Sequence, residues 1–287
     1  MLGKWTTSTL ATSSPEMVVK QIEQGVESLL EEQSASRRSL QAIAAGAPGV
    51  TDPKAGVVLA TSYLRGWKNV RFQELLESAF HVPAAIENDV RTAALGEHWM
   101  GAARGVDDFV FLALGTGIAA GIFANGKLIH GVHCTAGEVG YMYVPGASEE
   151  PAKPHEPGSL ESSIGGDGIR QQWLDGCKED ARSENPSATE IFQRATDGDP
   201  LSQTVLERSA QLLAYAIYNI ALVMDSSLFV LGGGVGVSGA LRDATERVLE
   251  KYKEPSRPKL VISRLGTDAQ IMGAIRLALT TASVRRG

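Results

Sequence analysis

Residues 109–126 read Phe109-Val-Phe-Leu-Ala-Leu-Gly115-Thr116-Gly117-Ile118-Ala-Ala-Gly-Ile-Phe-Ala-Asn125-Gly126. Six apolar residues in succession predict a buried strand over 109–114 that runs into a glycine turn. Residues 119–124 predict a second strand after that turn. Asn125-Gly126 then closes a hairpin, because both residue types accept the positive φ that a two-residue turn needs. Glycine beside a hydroxyl, at a strand end, lets backbone N–H groups come close to a phosphate. A plain hairpin turn explains Gly115, Thr116 and Gly117 as well.

Two other strand ends carry comparable signals. Residues 228–231 predict a buried strand entering Gly232-Gly233-Gly234. Such a strand-to-helix glycine loop lets a nucleotide base or ribose lie flat on the backbone; a structural turn is the competing reading. It is not G-x-x-x-x-G-K-[ST], and nothing like G-x-G-x-x-G opens the chain. Upstream, the short strand 84–86 delivers Glu87-Asn88-Asp89 at its end, and a helix follows over 90–100. A carboxylate at the carboxyl end of a strand is where open α/β sheets put reacting groups. Asp89 could take a proton from an attacking hydroxyl, with Asn88 holding the hydroxyl-bearing molecule by hydrogen bonds. Equally, Asp89 reads as the cap of the helix at Val90.

Around these segments the chain alternates. Ser13-Ser14-Pro15-Glu16 starts a helix whose stripe is Val18, Ile22, Val26, Leu29 and Leu30. Residues 40–47 predict a buried strand, 56–60 a short extended segment, and 70–79 an amphipathic helix. Residues 145–158 predict an exposed loop. A helix over 201–224 is apolar nearly all round and hence buried. Residues 259–263 predict a last strand and 269–280 a closing helix. The pattern is α/β with at least two layers of helix.

Composition narrows the partners. The 287 residues are 43% hydrophobic and 21% charged, with a formal net charge of −6. That balance argues against nucleic acid or an anionic membrane as the partner. No run approaches the roughly 18 apolar residues of a membrane span. Residues 1–12 lack the basic and apolar regions of a signal peptide. Cys134 and Cys177 show no C-x-x-C spacing, so neither a structural disulfide nor a cysteine-rich metal site is expected. A cytoplasmic protein is expected. Glu138 (in Ala136-Gly-Glu-Val-Gly140) and Glu161 (in Gly158-Ser-Leu-Glu161) are carboxylates beside glycine. They read as acceptors of sugar hydroxyls or as solvated surface groups. His130, His133 and His155 show no metal-ligand pattern.

In order along the chain, several short motifs combine. They are Ala85-Ile-Glu-Asn-Asp89, Ala94-Leu-Gly-Glu97, Leu114-Gly-Thr-Gly-Ile118, Asn125-Gly-Lys-Leu128, Gly137-Glu-Val-Gly140 and Leu231-Gly-Gly-Gly-Val235. With Gly49-Val-Thr-Asp-Pro53, Gly66-Trp67 and Leu265-Gly-Thr-Asp-Ala269, the chain from about Trp5 onward resembles the ROK family of bacterial sugar kinases and repressors. The resemblance implies the two-domain α/β architecture of sugar kinases, Hsp70 and actin, which is ribonuclease H-like. The small domain would span 1–105 and be completed by the C-terminal helix 269–287; the large one would span 106–268. A hexose or N-acetylhexosamine would sit in the cleft with ATP, carrying Mg²⁺, alongside. Asp89 would be the catalytic base. Gly49, Ser62, Asn88, Glu138 and Glu161 fall at sugar-contacting positions. Gly115, Thr116 and Gly117 fall at a phosphate loop, and Gly232, Gly233 and Gly234 at the adenosine loop. The resemblance also implies a homo-oligomer.

Three departures qualify it. The family opens with a hairpin carrying D-x-G-G-T; this chain starts past that point, with residues 2–10 resembling the third strand. A longer native N-terminus, or a re-routed segment 1–10 with a partner chain over the small domain, is therefore expected, together with weak ATP affinity. The family's zinc loop is changed: Tyr141 stands for its histidine, and Ala152, Pro154 and Ser159 for its cysteines, so no zinc is expected. That histidine also touches sugar in relatives, which makes Tyr141 a changed sugar position. Third, Ala119-Ala120 stands where relatives usually have glycine. Three functions compete: an ATP-dependent hexose or N-acylhexosamine kinase, a non-catalytic sugar-sensing effector domain of a regulator, and a degenerate structural paralogue.

Overall fold

The computed structural model describes residues 1–150, 152–153, 156–252 and 257–284. The chain divides into two compact units. One comprises Met1–Gly96 with Gln270–Gly287, and the other Glu97–Ala269.

In the first unit, α1 (Pro15–Glu32) begins with proline at its first position, where a missing N–H costs nothing. Val18 and Val19 are buried on its inner face. Strand β1 (Ile43–Ala47) is followed by β2 (Val50–Asp52), β3 (Val57–Ala60) and β4 (Lys68–Val70). Helix α2 (Phe72–Phe80) buries Phe72, Leu76 and Phe80, one face at a spacing of four. Then come β5 (Ala84–Asn88) and α3 (Asp89–Met100). Strands β1 and β5 pair in parallel from Ile43↔Ala84 to Ala47↔Asn88. Strands β2, β3 and β4 form a separate antiparallel sheet. The core joins Val18, Val58, Trp67, Leu76 and Ile86, with Trp67 edge-on to Phe72 at 5.0 Å.

Two expectations need correction here. Residues 2–10 form no strand. The Trp5 ring lies over Gly25 of α1, and Gln21 Nε2 donates to Ser8 O at 2.8 Å, so this segment packs on a helix. Helix α2 starts at Phe72 because Lys68–Val70 is drawn into β4, paired with β3.

The second unit opens with β6 (Phe109–Leu114), β7 (Ile118–Ala124) and β8 (Lys127–Leu128). Helices α4 (Ser159–Ile164), α5 (Gly166–Gly176), α6 (Ala188–Thr196) and α7 (Pro200–Met224) follow. The remaining elements are β9 (Leu228–Gly232), α8 (Gly233–Gly236), α9 (Gly239–Leu249), β10 (Lys259–Ile262) and α10 (Ala269–Val284). The sheet order is β10-β9-β6-β7-β8. Strand β9 is an interior strand, paired on both sides, and is buried at all five positions, as a parallel strand covered on both faces requires. Strands β7 and β8 turn through Asn125 and Gly126, both at positive φ (52° and 69°), the two-residue hairpin that the sequence predicts. Helix α7 buries residues on most of its circumference and contacts α9, α6 and α5. Residues 145–158 carry no helix or strand among those described.

Candidate functional site

In the first unit the turn from β5 into α3 gathers the sequence-named residues. Asn88 Oδ1 accepts the backbone N–H groups of Val90 and Arg91, each at 3.0 Å. Asn88 is therefore the side chain that caps α3. Its Nδ2 donates to the carbonyl of Gly49 at 2.9 Å and to Asp89 Oδ1 at 3.1 Å. Thr92 Oγ1 donates back to Asn88 O at 2.7 Å. Asp89 Oδ1 accepts the adjacent Val90 N–H at 2.9 Å besides the Asn88 amide. Burial pushes the Asp89 carboxyl above the ordinary aspartate range, outweighing its backbone hydrogen bonds, the Arg91 charge and the Asn88 amide.

Gly49 has to be glycine. Its φ is +87°, and a Cβ there would lie 2.3 Å from the Ala60 carbonyl and 2.6 Å from Thr61 Cβ. The β1–β2 turn thus lies against the end of β3, next to Thr61 and Ser62. Ser62 is exposed. The structure brings Gly49, Asn88 and Asp89 into one hydrogen-bonded group, with Ser62 beyond the adjacent strand end.

Beneath this group lies an ion pair that the sequence reading missed. Arg91 and Glu87 are 3% and 4% exposed. Arg91 Nε donates to Glu87 Oε1 at 2.8 Å, and Arg91 Nη2 donates to the Thr51 carbonyl at 2.9 Å. Glu87 Oε1 also takes the Asn88 N–H at 2.8 Å. Glu87 lies in β5 and Arg91 in the first turn of α3, so no helix-face pattern marks the pair in the sequence.

In the second unit, β6 and β9 run parallel with Ala113 opposite Gly232. The two glycine segments therefore leave adjacent strands at the same carboxyl edge, where α/β sheets bind ligands. Gly115 N donates to Gly117 O at 3.0 Å, and Gly115 O accepts from Gly166 N at 2.8 Å. The turn is a hairpin, since β6 and β7 pair up to Leu114↔Ile118, and it is seated on the start of α5. Thr116 is exposed. Gly233 sits at φ +79°, where a Cβ would lie 2.3 Å from Leu114 O; only glycine lets the loop pass this close. A Cβ at Gly115 or Gly234 would meet nothing within 4 Å, so space is open over both backbones. Ala120, in contrast, is buried in the core and gives its N–H to Gly137 O at 2.7 Å.

Glu161 stands in the first turn of α4, and its Oε2 accepts the Ile118 N–H at 2.8 Å. One carboxylate oxygen is thus tied to the residue just after the Gly115–Gly117 turn. Glu138 precedes the 3-10 turn Val139–Tyr141 and is exposed, as is Tyr141. The Tyr141 hydroxyl lies 3.5 Å from the Glu156 carbonyl. Ser159 Oγ donates to the Ser148 carbonyl. Among the described residues no group of three His, Cys, Asp or Glu side chains could hold a metal ion; Pro154 and His155 lie outside the described residues, and Ala152 lies within them.

Parallel strands ending in glycine loops, helices on the sheet, and a second unit with a strand-end aspartate define an α/β protein of the sugar-kinase, Hsp70 and actin class. The ROK family profile matches residues 4–281, and the chain belongs to that family. It is 29% identical over 286 residues to a glucokinase of Halalkalibacterium halodurans, covering 95% of this chain and 86% of that one. The ROK hexokinase of Thermus thermophilus superposes with a TM-score of 0.75 at 26% identity, covering 98% and 91% of the two chains. A ROK family transcriptional regulator, homologous to the E. coli MLC protein, superposes at 0.78 with 25% identity, covering 94% and 70%. No helix among the described residues is long and apolar enough to cross a membrane.

Proposed function

We propose that the protein is an ATP-dependent kinase of a hexose or N-acetylhexosamine, with Asp89 as the catalytic base. The observation that carries this reading is the division of labour at the β5–α3 turn. Asn88 holds two amides of the helix start, Asp89 shares one of them, and burial raises the affinity of Asp89 for a proton. A base of raised pKa suits the uptake of a hydroxyl proton near neutral pH. The sugar oxygen then bonds to the γ-phosphorus, the bond from that phosphorus to the bridging oxygen breaks, and ADP leaves with the electron pair.

In this reading Gly49, Ser62, Glu138, Glu161 and Tyr141 are sugar-contacting residues, and Asn88, whose side-chain amide is engaged by Gly49, Asp89, Val90 and Arg91, holds the base in place for the sugar. The Gly115–Thr116–Gly117 turn and the Gly232–Gly234 loop are the nucleotide contacts, and the open space over Gly115 and Gly234 fits a ligand lying on the backbone. Magnesium-bound ATP supplies the transferable phosphoryl group. The same reading makes the protein a cytoplasmic homo-oligomer with no nucleic-acid or membrane partner through this chain.

The test is a coupled ADP-release assay against a panel of hexoses and N-acetylhexosamines, run alongside calorimetric sugar binding. Turnover of a sugar that also binds supports the kinase. Binding without turnover across the panel replaces it with a sugar sensor, the reading that likeness to a regulator favours.

A further inference from the structure

We infer that Arg91 is a positioning residue that holds the Gly49–Thr51 backbone in register with the Asn88–Asp89 turn. The inference rests on the kinase reading above, in which that turn carries the base. Arg91 reaches in two directions from the first turn of α3. Its Nε grips Glu87 at the end of β5, and its Nη2 grips the carbonyl of Thr51 in β2. Asn88, whose backbone N–H donates to Glu87 Oε1, closes the loop by donating from its side-chain Nδ2 to the carbonyl of Gly49, two residues before Thr51.

The place of the second grip matters. The pairing of β2 with β3 shifts register between Val50 and Thr51. A shift of this kind bends the strand and re-aims what precedes it, which here is Gly49. The β1–β5 ladder ends at Ala47↔Asn88, and β2–β4 form a separate sheet, so no strand pairing joins Gly49–Thr51 to β5. Two side chains, Arg91 and Asn88, make that link. Thr51 is 0% exposed and its own hydroxyl finds no hydrogen-bond partner among the described residues. The carbonyl of Thr51, rather than its side chain, is therefore the handle on this strand. Lysine could keep the charge beside Glu87, but a single ammonium lacks the guanidinium fork that reaches both acceptors.

Arg91→Lys is the informative variant, because Arg91→Ala would strand a buried Glu87 charge and threaten folding. Far-UV dichroism and the melting curve establish that the variant is folded. We expect kcat to fall roughly 10²-fold, the scale of an ångström-sized misplacement, with sugar KM changed less than about threefold. Deuterium exchange should quicken at residues 49–52, while 93–100 stay as protected as in the parent. Parental kcat and parental exchange at 49–52 in folded Arg91→Lys would overturn the inference. Asp89→Asn serves as the second arm. An active Asp89→Asn protein removes the base assignment and leaves the exchange result to decide Arg91. An inactive one, beside a fully active Arg91→Lys, removes Arg91 alone. Should the parent phosphorylate no sugar, the kinase reading fails, and the exchange rates at 49–52 still decide whether Arg91 holds that strand.

Discussion

Asn88 and Asp89 share one helix start: Asn88 Oδ1 holds the N–H groups of Val90 and Arg91 while its Nδ2 reaches Asp89 Oδ1 at 3.1 Å, and Asp89 Oδ1 shares the Val90 N–H at 2.9 Å. The amide thus carries most of the cap and orients the neighbouring carboxylate. Asp89→Asn keeps this shape and removes the base. Turnover should drop about 10²–10⁴-fold with sugar affinity little changed. Steady-state kinetics beside calorimetry checks both halves, and equal turnover in the variant returns Asp89 to a purely structural role.

The same substitution should stabilise the fold at neutral pH. The folded-state pKa of Asp89 is raised by burial, so its ionised form is disfavoured in the native protein relative to the unfolded chain. That unfavourable contribution is fully present above the raised folded value. It is relieved as pH falls through that value and is gone below the unfolded one. Melting at pH 7 should therefore show Asp89→Asn above the parent, with the gap closing on acidification. A site that trades stability for reactivity behaves this way; a lower melting temperature for the variant at pH 7 contradicts it.

Activity should carry the same signature. Only deprotonated Asp89 can accept the hydroxyl proton, so kcat/KM should fall as pH drops through its raised pKa. The acid limb should lie above the ordinary aspartate value of about 3.9. A pH–rate profile locates it. A limb at or below that value places the controlling group elsewhere.

Much of this architecture is legible in the sequence. The runs Phe109–Leu114 and Leu228–Gly232 announce themselves because buried parallel strands are continuously apolar. Asn125-Gly126 fixes its own turn. Strand β4, Lys-Asn-Val, is too short and polar to alternate visibly. Helix α6 was detectable, since Ser187 and Glu190 form a capping box. Helix α5 hides behind a glycine-rich start, Gly166-Asp-Gly. At the site, residue types marked Asn88, Asp89 and Glu161, but not their division of work. The Thr51–Arg91 contact joins residues forty apart in the chain, a link made by tertiary packing.

The sugar contact proposed for Glu161 needs only one of its two oxygens. Oε2 is engaged by the Ile118 N–H, which leaves Oε1 for a ring hydroxyl. Glu161→Gln retains an acceptor for Ile118 but loses the charge. Sugar affinity should fall by about tenfold to a hundredfold, the worth of one charge-assisted hydrogen bond. Glu161→Ala should lose that and also about 1–3 kcal/mol of stability, from an unpaired Ile118 amide. Calorimetry and melting read the two effects separately, and unchanged affinity in both variants would falsify the sugar contact.

Glu97 carries a scaffold role that can be measured in the same way. Its side chain is 0% exposed, yet it accepts from Ala102 N at 2.6 Å, Ser263 Oγ at 2.5 Å and Leu265 N at 3.0 Å. These donors tie the end of α3 to the turn that leads from β10 into α10. A buried carboxylate is tolerable only when donors surround it. Glu97→Ala leaves the amides of Ala102, Leu265 and (at 3.4 Å) Arg264, with the Ser263 hydroxyl, without their acceptor, each at a cost of about 1–3 kcal/mol. The sum is comparable with a whole stability margin of about 5–15 kcal/mol, so the variant should melt far below the parent or fail to accumulate. Glu97→Gln retains one acceptor oxygen and places an NH₂ where the other was, facing donors. It should fall between the two, since a second donor cannot satisfy the first. Chemical denaturation of the three proteins measures the order; a Glu97→Ala protein as stable as the parent means that water replaces the carboxylate.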